Sequence, residues 1–116
     1  MKVIVAGSRT ATWAHVIEAM RTAEFVKEIT CVISGGARGA DSHGEEVARR
    51  KGWEILRFPA QWDKFGKSAG YRRNEEMAEH ADALIATWDG LSPGTRHMIE
   101  TARKKGLRVH VHIFQK

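Results

Sequence analysis

Short apolar runs alternate with longer amphipathic segments along the whole chain. The runs cover residues 2–6, 29–33, 53–58, 83–86 and 107–114. Several are rich in Val and Ile and nearly continuous, as parallel strands buried on both faces are. Four helices are predicted between them. Thr12 is placed to cap the first, whose apolar stripe is Trp13, Val16, Ile17 and Met20. Asp41 or Ser42 opens the second, which runs to about 51 and stops at Gly52. The third spans about 69–80, and the fourth about 95–105, closed by Gly106. Strand, helix and strand repeated in this way predict right-handed βαβ units. The expected fold is therefore α/β, a single three-layer domain over 1–116 with a parallel sheet of about five strands. Segment 59–68 reads as one long irregular loop, a plausible lid.

In open parallel sheets, ligands sit beyond the carboxyl ends of the strands. Those ends share a chemistry here. The first is followed by Gly7-Ser8-Arg9-Thr10, and the second by Ser34-Gly35-Gly36-Ala37-Arg38-Gly39-Ala40-Asp41. The third leads through Trp62, Lys64 and Lys67 to Gly70-Tyr71-Arg72-Arg73-Asn74. The fourth is followed by Thr87-Trp88-Asp89-Gly90-Leu91-Ser92-Pro93-Gly94-Thr95-Arg96. Glycines let a backbone approach an anion, and the N–H groups of the next helix point at it. Helix N-termini ordinarily favour acidic side chains. Arg38, Arg72, Arg73 and Arg96 stand near predicted helix starts instead, and Arg9 in a strand-end loop, so an anion is expected among them. Pairing with Asp41, Glu45, Glu75 or Glu76 is the structural alternative. The glycine run fits neither G-x-G-x-x-G nor G-x-x-x-x-G-K-[ST], which argues against a nicotinamide dehydrogenase or a P-loop ATPase.

Composition adds less. The longest apolar runs are too short to span a bilayer. No signal peptide is visible, and Cys31 is the single cysteine, so a cytoplasmic protein is expected, with no membrane partner and no cofactor. Residues 1–95 balance 13 basic against 13 acidic side chains, so the net charge of +5 lies in residues 96–116. Such a segment suits nucleic acid or a solvated face. His110 and His112 share a strand face, but two histidines do not make a metal site, and none is assigned. His43 and His97 are near enough to the expected site for acid–base work. Asp41 suits a ribose hydroxyl or a helix cap. Trp62, Trp88 and Tyr71 are placed to contact a base or sugar, whereas Trp13 and Trp53 look like core or interface.

The segment from Val32 to Asp41, with Gly7-Ser8-Arg9, Trp88-Asp89-Gly90 and Ser92-Pro93-Gly94-Thr95, resembles the SLOG superfamily. That superfamily includes the DNA-processing protein A (Smf) proteins and the LOG phosphoribohydrolases. The likeness is greatest to the small YspA-type, cpYpsA-related SLOG proteins of bacteria and phages, and covers about 2–111. It implies a Rossmann-like sheet of order 3-2-1-4-5, a homo-oligomer, and a phosphate-bearing nucleotide-derived ligand at the C-terminal sheet edge. Binding, sensing and hydrolysis are all compatible with it. Strand-end chemistry and the resemblance together give as expected ligand residues Gly7, Ser8, Arg9, Ser34, Gly35, Gly36, Ala37, Arg38, Gly39, Asp41, Tyr71, Arg73, Asn74, Trp88, Gly94 and Thr95. Likeness to DNA-processing protein A gives a single-stranded DNA-binding module as the alternative. Likeness to LOG enzymes gives an N-glycosidase acting on nucleoside 5′-monophosphates. Arg73, before Met77-Ala78, then matches the catalytic arginine. Met98 occupies the position of the catalytic glutamate, and Glu100 is the nearest carboxylate beyond it.

Overall fold

The computed structural model describes residues 1–115. Five parallel strands, β1 (Lys2–Gly7), β2 (Cys31–Ser34), β3 (Glu54–Arg57), β4 (Ala83–Trp88) and β5 (Arg108–Ile113), form one sheet of order β3-β2-β1-β4-β5. Helices α1 (Trp13–Thr22) and α2 (Ala40–Lys51) cover one face, and α4 (Ala69–His80) and α5 (Pro93–Lys104) the other. The short α3 (Trp62–Phe65) lies beside α4. This is the expected Rossmann-like arrangement. Among the described residues no helix is long and apolar enough to cross a membrane.

The alternation in the central strands explains their nearly unbroken apolarity. Val3 and Val5 of β1 enter the core under α1 and α2, while Ile4 and Ala6 enter the core under α4 and α5. Ala83 and Ile85 of β4 divide from Leu84 and Ala86 in the same way. A fully buried Val, Leu or Ile contributes about 1.5–3 kcal/mol, so these two strands anchor both layers. The edge strands β3 and β5 are only partly covered and carry Glu54, Arg57 and Arg108, charges that discourage edge-to-edge pairing.

Helix starts are where the sequence reading needed correction. Thr12 caps α1 as expected, with His15 completing the capping box: Thr12 N–H donates to His15 Nδ1 at 3.0 Å. Neither Asp41 nor Ser42 caps α2. The cap is Gly39, at φ +73°, and the Ala40 N–H donates to the Ser8 carbonyl at 3.3 Å. A contact from another loop thus starts this helix. α5 begins two residues earlier than predicted, because Pro93 needs no N–H partner in a first turn. Segment 59–68 is not irregular throughout: it forms α3 and a 3₁₀ turn at Gly66–Ser68. A 3₁₀ turn at Val26–Glu28 had no clear sequence signal.

Two glycines of the second loop differ sharply in surroundings. Gly36 has φ +75° and open space where a Cβ would stand. Gly39 has a similar φ, but a Cβ there would collide with the carbonyl oxygens of Ser8 and Arg9. Gly36→Ala is expected to cost about 1–2 kcal/mol, for the left-handed conformation alone. Gly39→Ala is expected to cost ~3 kcal/mol or more, because backbone must also move. Urea unfolding of the two variants checks this, and equal midpoints would show that the Gly39 contact is unimportant.

Candidate functional site

The order reverses between β1 and β4, and the loops leaving these strands meet the start of α4 around a cleft of about 460 Å³. Its wall includes Gly7, Ser8, Arg9 and Thr10 after β1, Ala37 and Asp41 from the second loop and α2, and Trp62 and Lys67 from the 59–68 segment. α4 supplies Gly70, Tyr71, Arg73, Asn74 and Met77. Asp89, Ser92, Pro93, Gly94, Thr95 and Met98 complete it from the fourth loop and α5.

The cations here are not neutralised by the carboxylates near them in sequence. Ion pairs among the described residues use Arg21, Arg49, Arg50, Arg57, Lys105 and Arg108. Arg9, Arg38, Lys67 and Arg73 take no part in them. Glu45, a proposed partner, is committed to Arg57 at 2.7 Å and accepts from the Ser34 hydroxyl at 2.7 Å. Arg73 donates to the Gly35 carbonyl at 2.8 Å and to Asn74 Oδ1 at 3.2 Å. Burial pulls its guanidinium below the ordinary value, and Asp41 pulls it back up. An arginine stays cationic under such shifts.

Asn74 orders the polar floor. Its amide donates to Gly94 O and to His97 Nδ1, at 3.3 and 3.2 Å. His97 therefore carries its proton on Nε2, facing Thr101 Oγ1 at 3.4 Å. Tyr71 lies against the His97 ring, with centroids 4.3 Å apart. Tyr71 and Trp62 are 46% and 54% exposed, large rings held open to solvent at the cleft.

The two carboxylates of the cleft differ in environment. Asp89 accepts from the N–H groups of Leu91 and Ser92 and from the Ser92 hydroxyl. The Ser92 and Leu91 N–H bonds hold it well below the usual carboxylate range. The Asp89 N–H donates to Ser8 Oγ at 3.0 Å, and Ser8 Oγ lies 3.1 Å from Ser92 Oγ. Ser92 spends its proton on Asp89, and the Ser8 hydroxyl, which accepts from the Asp89 N–H and also lowers the Asp89 carboxyl as a hydrogen-bond partner, holds the fourth loop in place. Asp41 is 5% exposed, and burial pushes its carboxyl up to about 6, against an opposing bond from the Ala37 N–H and the Arg73 charge.

The structure separates the expected site residues into two groups. Gly7, Ser8, Arg9, Ala37, Asp41, Tyr71, Arg73, Asn74, Gly94 and Thr95 line the cleft. Ser34, Gly35, Gly36, Arg38, Gly39, Trp88 and Glu100 are outside its lining. Ser34 is buried on Glu45 and accepts from the Gly36 N–H. Gly35 makes room for Arg73, since a Cβ there would strike the guanidinium. Arg38 is exposed. Trp88 packs toward α5, donates its indole N–H to Ser92 O at 3.1 Å, and has Arg96 5.4 Å from its ring. Glu100 is exposed, while Met98, 1% exposed, forms part of the wall. Lys67, Met77 and Asp89 were not assigned to the site in advance. Lys67 was visible as a loop cation and Asp89 as an Asp three residues before a Ser, but Met77 had only a core-like signal. His110 bonds Thr22 Oγ1 at 2.9 Å, remote from this cleft.

Residues 1–65, more than half of the chain, match the family described as YspA, cpYpsA-related SLOG family. The gene 61 protein of Mycobacterium phage D29 is 34% identical over 119 residues, with 93% of each chain covered. The chain belongs to this SLOG family. The X-ray structure of DNA processing protein A (DprA) from Streptococcus pneumoniae superposes with a TM-score of 0.76 at 18% identity, covering 95% of this chain and 49% of that one. The likeness is one of fold, and the SLOG chain spans about half the length of that protein.

The environment of Asp41 makes a prediction about stability. Its folded value of about 6 lies above the ordinary 3.8. The folded state therefore holds this proton more tightly, and the resulting stabilisation is complete below about pH 4 and lost as pH rises through about 6. Asp41→Asn is expected to be more stable than wild type at pH 7, by up to roughly 3 kcal/mol, with the gap closing near pH 4. Denaturation at pH 4 and pH 7 measures it, and a gap that does not change with pH would refute the assignment.

Proposed function

We propose that this SLOG domain binds a phosphate-bearing, nucleotide-derived ligand in the cleft at the C-terminal edge of its sheet. Family membership and the shared fold support a nucleotide- or DNA-related binding role. The observation that carries the finer reading is the meeting of unpaired cations with open aromatic rings. Arg9, Lys67 and Arg73 share the cleft with the start of α5, whose first turn has no acidic side chain. First-turn N–H groups lack intrahelical partners and favour an anion. Gly94 and Thr95 bring that turn to the cleft. Trp62 and Tyr71 offer ring faces for a base.

Binding rather than N-glycosidic hydrolysis is the reading favoured here. Met98 stands in the wall where a LOG enzyme has its glutamate, and Glu100 faces solvent. In the basic C-terminal segment Arg108 pairs with Glu28 and Lys105 with Glu79, but Arg103 and Lys104 are exposed and take no part in an ion pair among the described residues, so that segment stays open to the DNA reading. We place the protein in the cytoplasm, where its single cysteine fits best, and as a homo-oligomer following the resemblance; light scattering reports the oligomer.

Thermal unfolding against nucleoside monophosphates, NAD, ADP-ribose, cyclic dinucleotides and a short single-stranded oligonucleotide tests the function. A ligand at 100 times its Kd adds about 2.7 kcal/mol, a shift of several degrees. One small nucleotide is expected to give it. Arg73→Ala is expected to weaken that ligand at least tenfold. Trp62→Ala is expected to weaken the nucleotide but not inorganic phosphate. A shift with the oligonucleotide alone would replace this reading with the DNA-binding one.

A further inference from the structure

Asp41 places a carboxyl in the wall of a cleft that otherwise suits an anion. It lies in the first turn of α2, 5% exposed, and accepts from the Ala37 N–H through Oδ2 at 3.3 Å. It forms no ion pair within 4.0 Å among the described residues. Arg73, the nearest cation in effect, donates to Gly35 O and Asn74 instead. A bare carboxylate in such a place repels an anion strongly, because the surroundings screen poorly.

The groups acting on Asp41 come from several elements. Glu45, one turn along α2, raises it; the N–H groups of Ala37 and Gly35 lower it, as does Arg73 from α4. Arg9, in the loop after β1, acts on Arg73. Lys67, Asp89 and the His97–Tyr71 pair bound the same space. Asp89 already has its acceptor sites filled by the turn at Leu91 and Ser92. Asp41 is thus the cleft carboxyl that takes up a proton most readily. A second feature points to a ligand at this spot. Thr95 is 6% exposed, lines the cleft, and its hydroxyl makes no hydrogen bond among the described residues.

We propose that Asp41 is a ligand-contacting acid: when an anion fills the cleft, Asp41 holds a proton taken from solvent and donates it to the anion as a hydrogen bond. The inference rests on the anion-binding reading above and adds to it a specificity. A site that supplies its own proton accepts a fully ionised tetrahedral anion. A site with an ionised Asp41 would accept a hydrogen bond from a protonated phosphate and reject sulfate.

Calorimetric titration of the whole chain with inorganic sulfate and with inorganic phosphate tests this. Sulfate stays fully ionised from pH 5 to 7.5, so its own titration does not intrude. The expected result is sulfate binding that weakens roughly thirtyfold from pH 5 to 7.5, for one group titrating near 6. Close to one proton is taken up per sulfate at pH 7.5, read from buffers of different ionisation enthalpy. In Asp41→Asn the pH dependence and the proton uptake are expected to vanish while sulfate still binds. Persistence of the pH dependence in that variant would assign it to another group and overturn the proposal. Sulfate binding that is flat with pH in wild type, and lost in Arg73→Ala, would overturn it and leave the anion site standing. Phosphate binding without sulfate binding would also overturn it, making Asp41 an acceptor. Binding of neither anion at any pH would remove the anion reading and this inference together.

Discussion

The structure depends on a close approach of backbone to backbone at the C-terminal edge of β1. A Cβ at Gly7 would collide with the Thr87 carbonyl of β4, and one at Gly39 with the carbonyls of Ser8 and Arg9. A little further along α2, a Cβ at Gly44 would come within 2.6 Å of Val5 on β1. With no side chains between them, α2 sits directly on β1, and the loops after β1, β2 and β4 are drawn to one point. Ala40 then donates to Ser8 O, and Ser8 N donates to Thr87 O at 2.9 Å. Atoms this close relax little in a packed interior. The position of the cleft follows from that packing.

The polar groups around this junction divide into supports and unsatisfied cations. Glu45 bridges Ser34 and Arg57, joining β2, α2 and β3. Asp89, Ser92 and Ser8 fasten the fourth loop. Asn74 ties α4 to α5 through Gly94 and His97. These bonds consume the hydroxyls and acids that could otherwise have quenched the arginines. What is left facing the cleft is Arg9, Lys67, Arg73 and a buried carboxyl with an elevated affinity for protons. Groups with perturbed proton affinity cluster at functional sites, though structural networks perturb them too.

The glycine-rich segment illustrates how one motif serves two purposes. By sequence, Gly35, Gly36 and Gly39 all suit the approach of an anion. In the structure Gly35 admits the Arg73 guanidinium and Gly39 admits a neighbouring loop, both intramolecular demands. Gly36 faces open space and donates its N–H to Ser34 Oγ. A requirement for glycine is legible in sequence, but what approaches it is not, because the approaching group comes from 30 or more residues away in the cases of Arg73 on Gly35 and the Ser8 and Arg9 carbonyls on Gly39.

The alternation of apolar runs and amphipathic segments determined the strands, the main helices, the parallel sheet and the edge at which the cleft lies. These depend on local periodicity and on the handedness of the chain, and both can be read residue by residue. Residue types at the strand ends also pointed to Arg73, Asn74 and Asp41, which the structure brings together in the cleft wall. Only the tertiary structure decided which neighbours they meet. It turned Trp88 toward α5 and Glu100 toward solvent, and it set Met98 and Met77 in the wall. It capped α2 with Gly39 rather than an acid. It gave Glu45 to Arg57 and left Arg73 without a carboxylate partner. These outcomes are set by contacts between separate elements, some close and some distant in the chain, where packing outweighs local preference.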